Sequence, residues 1–243
     1  MEWHFIVNPV AGRGRTARLW PQMERIVAEK AVPFRVAFTT APGEARDLAR
    51  QAADEGVTVI VGAGGDGTTG EIVNGVLASR RPTTPIGTVP TGTGCDFVRG
   101  QGLPTCWETV LRAILAGSQP VLVDAFEVED AQGNRRYAIN SVGIGFDAHV
   151  AHLAHSRQWL KRLGALAYAF GAAGGLLTFR PTDSHVLLDG TPVHSNGTWL
   201  VACTNTERLA GGMKVCPGAH PADGQLNLCI ASGVSAPRVL QLM

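Results

Sequence analysis

Through the first half of the chain, short apolar runs alternate with stretches of helical spacing. His4–Asn8 reads as a strand that ends in the Gly-rich turn Asn8–Gly14. Arg15–Lys30 reads as a helix, with Pro21 near its start. Phe34–Thr39 has the aromatic and β-branched texture of a strand, and Gly43–Glu55 places Ala45, Leu48, Ala49 and Ala52 on one helical face. Val57–Val61 (VTVIV) is β-branched throughout and almost wholly apolar, as expected of a strand covered on both faces of a parallel sheet. A helix over Thr68–Ala78, a strand over Pro85–Val89, a further Gly-rich loop and a helix over Cys106–Leu115 complete the series. This alternation predicts a doubly wound α/β, Rossmann-like domain over residues 1–120.

From Val121 onward, strand-like segments follow one another: Val121–Val128, Tyr137–Gly143, His185–Leu188, Thr198–Thr204 and Gln225–Ala231. A helical stretch, Ala148–Phe179, interrupts them. Gln132-Gly133-Asn134 and Leu188-Asp189-Gly190-Thr191 carry hairpin-turn chemistry. Residues 121–243 are therefore expected to form a β-rich sandwich domain with an inserted helix, and the boundary falls near Ser118–Pro120.

Composition narrows the function classes. The 243 residues are 45% hydrophobic and 17% charged, enough to bury a core and unlike a disordered chain. With 21 basic and 20 acidic residues the net charge is +1, which disfavours nucleic acid as a partner. The start MEWHFIVNPVAG lacks the pattern of a signal peptide. The uncharged stretch Leu163–Phe179 is short and Gly-rich for a membrane span. Five cysteines without a CxxC point to a reducing cytoplasm rather than to a disulfide framework.

The richest segment is VIVGAGGDGTTGEIVNG at residues 59–75, where a buried strand runs into glycines that open a helix. Glycine lets backbone N–H groups approach a phosphate, and a helix N-terminus adds partial positive charge. Asp66 stands inside this loop, where a carboxylate calls for Mg²⁺, a proton-transfer role or a loop-fixing hydrogen bond. Gly62, Gly64 and Gly67 match G-x-G-x-x-G, yet no Asp or Glu occurs between Ile72 and Cys95, so the ribose-binding acid of a dinucleotide fold is missing. Asn8–Gly12 and Pro90–Phe97 have the same Gly-rich character and also follow strands. In a parallel sheet all three loops gather at the carboxyl edge, where such sheets bind ligands.

NPVAG at Asn8–Gly12, TTAPGEA at Thr39–Ala45, GGDGTTGEIVNG at Gly64–Gly75 and PTGTGCDF at Pro90–Phe97 resemble the diacylglycerol kinase catalytic domain family. That family includes bacterial lipid kinases and sphingosine kinases. The likeness continues through Asp124, INSVGIGFDAHV at Ile139–Val150 and NTERLAGGMKVCPGAHPADGQLNL at Asn205–Leu228. The resemblance implies ATP-dependent phosphoryl transfer to a lipid hydroxyl, in a cleft between a nucleotide domain and a β-sandwich. It implies nucleotide contacts from Asn8, Pro9, Gly12, Thr39, Gly64, Gly65, Gly67, Thr68 and Thr93, with Glu71 and Asp96 in the surrounding polar network. Asp66 is the candidate catalytic carboxylate. A Mg²⁺ site is implied at Asp223, the carbonyls of His220 and Gln225, and Asp124.

The expected partners are ATP and a lipid at a membrane surface, with a homodimer compatible. The expected location is the cytoplasm, including its inner membrane face. Cys95 stands where the family usually has Asn, and the chain ends at Met243 without the family's Asp-Gly-Glu segment, so a C-terminally incomplete second domain is expected. A catalytically silent nucleotide- or lipid-binding module and an NAD-kinase-like phosphotransferase are the alternatives. His149, His152 and His155 read as a helix face rather than a metal site. Arg157, Lys161 and Arg162 could rest on anionic lipid ahead of Leu163–Phe179, although a core helix with a solvated basic end accounts for them better. Trp20, Trp107 and Trp159 read as packing residues.

Overall fold

The computed structural model describes residues 2–156, 174–176, 178–194, 196–209 and 213–235. The chain divides into two compact units, Met1–Ile139 and Asn140–Met243.

The first unit is built on a parallel sheet of β1 (Trp3–Val7), β2 (Phe34–Phe38), β3 (Val59–Gly64) and β4 (Ile86–Pro90) in the order β2-β1-β3-β4. Successive strand residues face opposite sides, so Phe5 and Val7 serve one layer and Ile6 the other. On the first side Phe5, Val7, Val61 and Val89 pack with Trp20, Met23 and Val27 of α1 (Ala11–Glu29) and Leu111 of α5 (Trp107–Leu115). On the second side Ile6 and Ile60 meet Ala45, Ala49, Ala52 and Ala53 of α2 (Glu44–Asp54) and Ile72 and Val76 of α3 (Asp66–Leu77). Each fully buried Ile or Phe contributes about 1.5–3 kcal/mol, and covering both faces explains the continuous apolar runs. The small alanine face of α2 lets α3 come close. A Cβ on Gly75 would collide with the Arg46 carbonyl.

Several elements differ from the sequence expectation. β3 begins at Val59 and runs on to Gly64, because Gly62 and Ala63 pair with Ile6 and Val7 of β1 and with Thr88 and Val89 of β4. Pro21 lies inside α1, well past its start; the carbonyl that its missing N–H leaves free belongs to exposed Ala17, where water can satisfy it. The buried stripe Trp20, Met23, Ile26, Val27 holds the helix through that position. A short helix, α4 (Asp96–Gly100), follows the third loop, where the sequence suggested only a loop.

Of Val121–Val128, only the end enters a strand: β5 (Phe126–Glu129) pairs antiparallel with β6 (Arg135–Ala138), while Val121 and Leu122 are exposed. Tyr137–Gly143 is not one strand. It splits at the junction of the two units into β6 and β7 (Ser141–Gly145). The turn between β5 and β6 uses Gly133 at φ 81°, and Asp130 Oδ1 accepts the N–H groups of Gln132 and Asn134.

The second unit centres on an antiparallel sheet in the order β13 (Asn227–Ser232), β10 (Thr198–Thr204), β7. Phe146 and Val150 of α6 (Phe146–Ser156) pack on Trp199, whose indole N–H donates to the Val234 carbonyl at 2.8 Å. Two hairpins accompany it: β8 (Val186–Leu188) with β9 (Thr191–His194), and β11 (Arg208–Leu209) with β12 (Met213–Lys214). The first turns through Asp189 and Gly190, both at positive φ, the two-residue turn that suits strand twist. Of the helical stretch expected over Ala148–Phe179, α6 starts earlier, at Phe146. Arg157, Trp159, Lys161, Arg162 and most of Leu163–Phe179 lie outside the described residues.

Candidate phosphate-binding site

Three loops leave the carboxyl edge of the first sheet, and the Gly64 carbonyl joins the second to the third. The Gly64 oxygen accepts the N–H groups of Thr91 at 2.9 Å and Gly92 at 3.0 Å, and the Thr91 hydroxyl lies 3.3 Å away. The Thr91 and Thr16 hydroxyls are 2.6 Å apart, and both residues are fully buried. Glycine is required at two of these contacts. A Cβ on Gly12, which has φ 58°, would collide with the Thr91 carbonyl, and one on Gly92 would collide with Gly65. Asn8 closes the ring: its Nδ2 donates to Thr68 Oγ1 at 3.0 Å, and its own N–H donates to the Ala63 carbonyl.

The helix behind this ring is open for an anion. α3 starts at Asp66 without a side-chain cap, so the N–H groups of its first turn face the edge without a helical partner. Gly67 carries no side chain there, and a Cβ on it would have nothing within 4 Å. Gly12, Arg13 and Gly14 take three successive left-handed conformations, a strained turn that sets the start of the regular part of α1.

Asp66 has one oxygen engaged: Oδ1 accepts the Phe97 N–H at 3.0 Å, tying the second loop to α4. Its Oδ2 and that of Asp96 flank Gly94, 3.3 and 3.7 Å from where a Cβ would stand. Cys95 is buried in a left-handed conformation, φ 53°. Burial pushes its thiol up, the Asp66 charge adds to this, and Arg99 and Arg15 oppose it. Thr93 is exposed at the tip of the third loop.

Thr39 is buried at the end of β2, where its N–H donates to the Val7 carbonyl. Next to it, the Glu44 carboxylate accepts from Thr40 Oγ1 and the N–H groups of Thr40 and Ala41, which holds it below the usual carboxylate range. Glu71 faces this loop. Its two oxygens accept the N–H groups of Gly43 at 2.9 Å and Ala45 at 3.2 Å, so it caps α2. Asn8, Pro9, Gly12, Gly64, Gly65, Asp66, Gly67, Thr68, Thr93 and Asp96 thus share one loop cluster, while Glu71 secures the neighbouring Thr39 loop. The sequence reading missed the buried pair Thr16 and Thr91; a hydroxyl inside a Gly-rich loop was its only signal.

Two family models match the chain. The diacylglycerol kinase catalytic domain covers residues 2–128, and the YegS C-terminal NAD kinase beta sandwich-like domain covers residues 140–243. The chain belongs to the diacylglycerol kinase catalytic domain family. Within this lipid kinase family it is 32% identical over 227 residues to the diacylglycerol kinase of Bacillus subtilis, covering 93% of this chain and 72% of that protein. It is 27% identical to the diacylglycerol kinase of Mycobacterium tuberculosis, covering 98% of this chain and 75% of the relative. The solved structure of a diacylglycerol kinase from Bacillus anthracis superposes with a TM-score of 0.70 at 22% identity, over 99% of this chain and 77% of that one, a likeness of fold.

The other residues that the family resemblance singles out lie elsewhere. Asp124 precedes β5 in the first unit. His220, Asp223 and Gln225 lie in an exposed turn of the second unit, where Asp223 Oδ1 accepts the Gln225 N–H and His220 Nδ1 accepts the Ala222 N–H. Among the described residues, no three His, Cys, Asp or Glu side chains are grouped to hold a metal, and no helix is long and apolar enough to cross a membrane. Oxygen donors nevertheless suit Mg²⁺, which keeps several waters and needs only one or two carboxylates beside phosphate. His149 is engaged on its own face, with Nε2 2.9 Å from Thr178 Oγ1 and its ring against Phe179.

Proposed function

We propose that this kinase transfers the γ-phosphate of ATP to the hydroxyl of a lipid such as diacylglycerol, presented at a membrane surface. The observation that carries the reading is the joined loop cluster at the open start of α3, with two carboxyl groups flanking Gly94 beside it. Phosphoryl transfer needs positioning and charge stabilisation more than covalent chemistry, and backbone amides on rigid loops supply both. The N–H groups of the first turn of α3 hold the phosphates. Asp66, through Oδ2, takes the proton of the attacking hydroxyl as the new O–P bond forms and ADP leaves. Mg²⁺, when bound, would neutralise phosphate charge; Asp96, beside Asp66 in the loop cluster, is the candidate carboxylate to hold it there.

The test is transfer of labelled phosphate from ATP with Mg²⁺ to a panel of diacylglycerol, sphingosine and NAD. Label in a lipid product is the expected result. Label in NAD alone, or nucleotide binding without transfer to any acceptor, would overturn it. Asp66→Asn keeps an oxygen for the Phe97 N–H and removes the charge, so it should retain nucleotide binding and lose about 10²-fold or more in kcat. Unchanged kcat in Asp66→Asn would leave Asp66 with its loop-fixing bond alone.

A further inference from the structure

Asn74 uses both ends of its side-chain amide on a distant strand. Nδ2 donates to the Tyr137 carbonyl at 2.8 Å and to the Gly70 carbonyl at 2.8 Å, while Oδ1 accepts the Tyr137 N–H at 2.8 Å. Such a two-way pairing is what a neighbouring strand gives a residue in a sheet. Among the described residues the β5–β6 hairpin has no third strand, an arrangement that is marginal by itself in water. The outward-facing N–H and C=O of Tyr137 therefore find their third strand in a side chain of α3. Two features hang on this contact. β5 begins just after Asp124, and β6 ends just before the junction of the two units at Ile139–Asn140.

We propose that Asn74 is a positioning residue for phosphoryl transfer. It fastens the β5–β6 hairpin to the helix that carries the phosphate loop, and so fixes both Asp124 and the point where the chain leaves the first unit. The inference rests on the kinase reading above. Asn8, Asp66, Thr91 and Gly92 hydrogen-bond within the loop cluster, so nucleotide binding should be independent of the clamp. Transfer is not, because displacements on the order of 1 Å far from the reacting atoms cost up to about 10²-fold in rate.

The experiment compares wild type with Asn74→Ala and Asn74→Asp, the second of similar size but unable to donate to either carbonyl. Three quantities are measured well below the melting temperature: nucleotide Kd, kcat for lipid phosphorylation, and hydrogen exchange at the Tyr137 amide. Both variants should bind nucleotide within about twofold of wild type and lose roughly 10–100-fold in kcat. In Asn74→Ala, Tyr137 exchange should also accelerate. A merely structural role would lower the melting temperature and leave kcat unchanged, which overturns the proposal. Parallel losses in Kd and kcat would overturn it too, since the effect would then run through the phosphate loops. If wild type transfers phosphate to no acceptor, the kinase reading falls and the positioning role falls with it. Unaltered Tyr137 exchange in Asn74→Ala would sink the clamp itself, whatever the activity.

Discussion

Gly67→Ala separates the fold from the ligand. Gly67 is in the first turn of α3, its φ is ordinary, and a Cβ placed on it would touch nothing within 4 Å. The substitution is therefore free of collision in the folded chain. Inside a helix alanine is favoured over glycine by up to about 1 kcal/mol, so the melting temperature should hold or rise. The open space above Gly67 is the space assigned to phosphate, and a methyl group there keeps the anion off the amides. A loss of about 1.4–2.8 kcal/mol in binding is a 10–100-fold weaker Kd. Gly70→Ala is the control: it is one turn further along α3, with equally open surroundings, and should stabilise the helix without touching affinity. Calorimetric titration with ATP and thermal melting of the three proteins give the answer. Wild-type affinity in Gly67→Ala would refute the placement of phosphate on α3, and equal losses in both variants would refute the reasoning from local space.

Two further outcomes follow from strained or buried groups. Cys95→Asn should raise stability by roughly 0.5–1 kcal/mol in urea unfolding, because asparagine tolerates the left-handed conformation and its amide can donate toward the Asp66 charge; a lower midpoint would count against this. His4 is buried with neither ring nitrogen hydrogen-bonded, and burial, helped by Arg35 and opposed by Glu55 and Glu2, lowers its pKa below the ordinary 6.5. The unfolded chain therefore takes up the proton first, and stability should fall as pH drops below about 6.5 and be unaffected by this group above it. Melts at pH 7.5 and 5.5 should show a smaller acid loss in His4→Leu than in wild type, and equal losses would dispose of the idea.

Periodicity made the parallel sheet legible, because strands covered on both faces leave runs as apolar as Val59–Val61. Turn chemistry was equally plain at Gln132–Asn134 and Asp189–Gly190, where φ must be positive at Gly133, Asp189 and Gly190. Strand limits were less so: β3 continues through Gly62 and Gly64 because neighbouring strands recruit those glycines, which no local pattern records. The loops of the site could be read as Gly-rich and strand-following. The roles within them could not. Glu71 stands beside the phosphate loop in sequence yet caps α2, and Thr91 forms the buried hub while exposed Thr93 resembles the contact residue. Asn74 lies within the GGDGTTGEIVNG motif, but nothing local announced its role, since its partner Tyr137 is 63 positions away and is held through its backbone.

The hub at the Gly64 carbonyl also bears on how the proposed site would meet a nucleotide. With Thr91 and Gly92 bonded to that oxygen and Gly12 and Gly92 pressed against neighbouring backbone, the cradle is held together by the chain's own contacts. Ordering a residue's backbone costs about 1–2 kcal/mol, and here that cost falls on folding rather than on binding. Association should accordingly be fast, single-step and insensitive to solvent viscosity beyond the diffusional effect, with no slow closure phase in stopped-flow traces. Tight binding would then lie in the dissociation rate, and saturating nucleotide would raise the melting temperature through mass action alone.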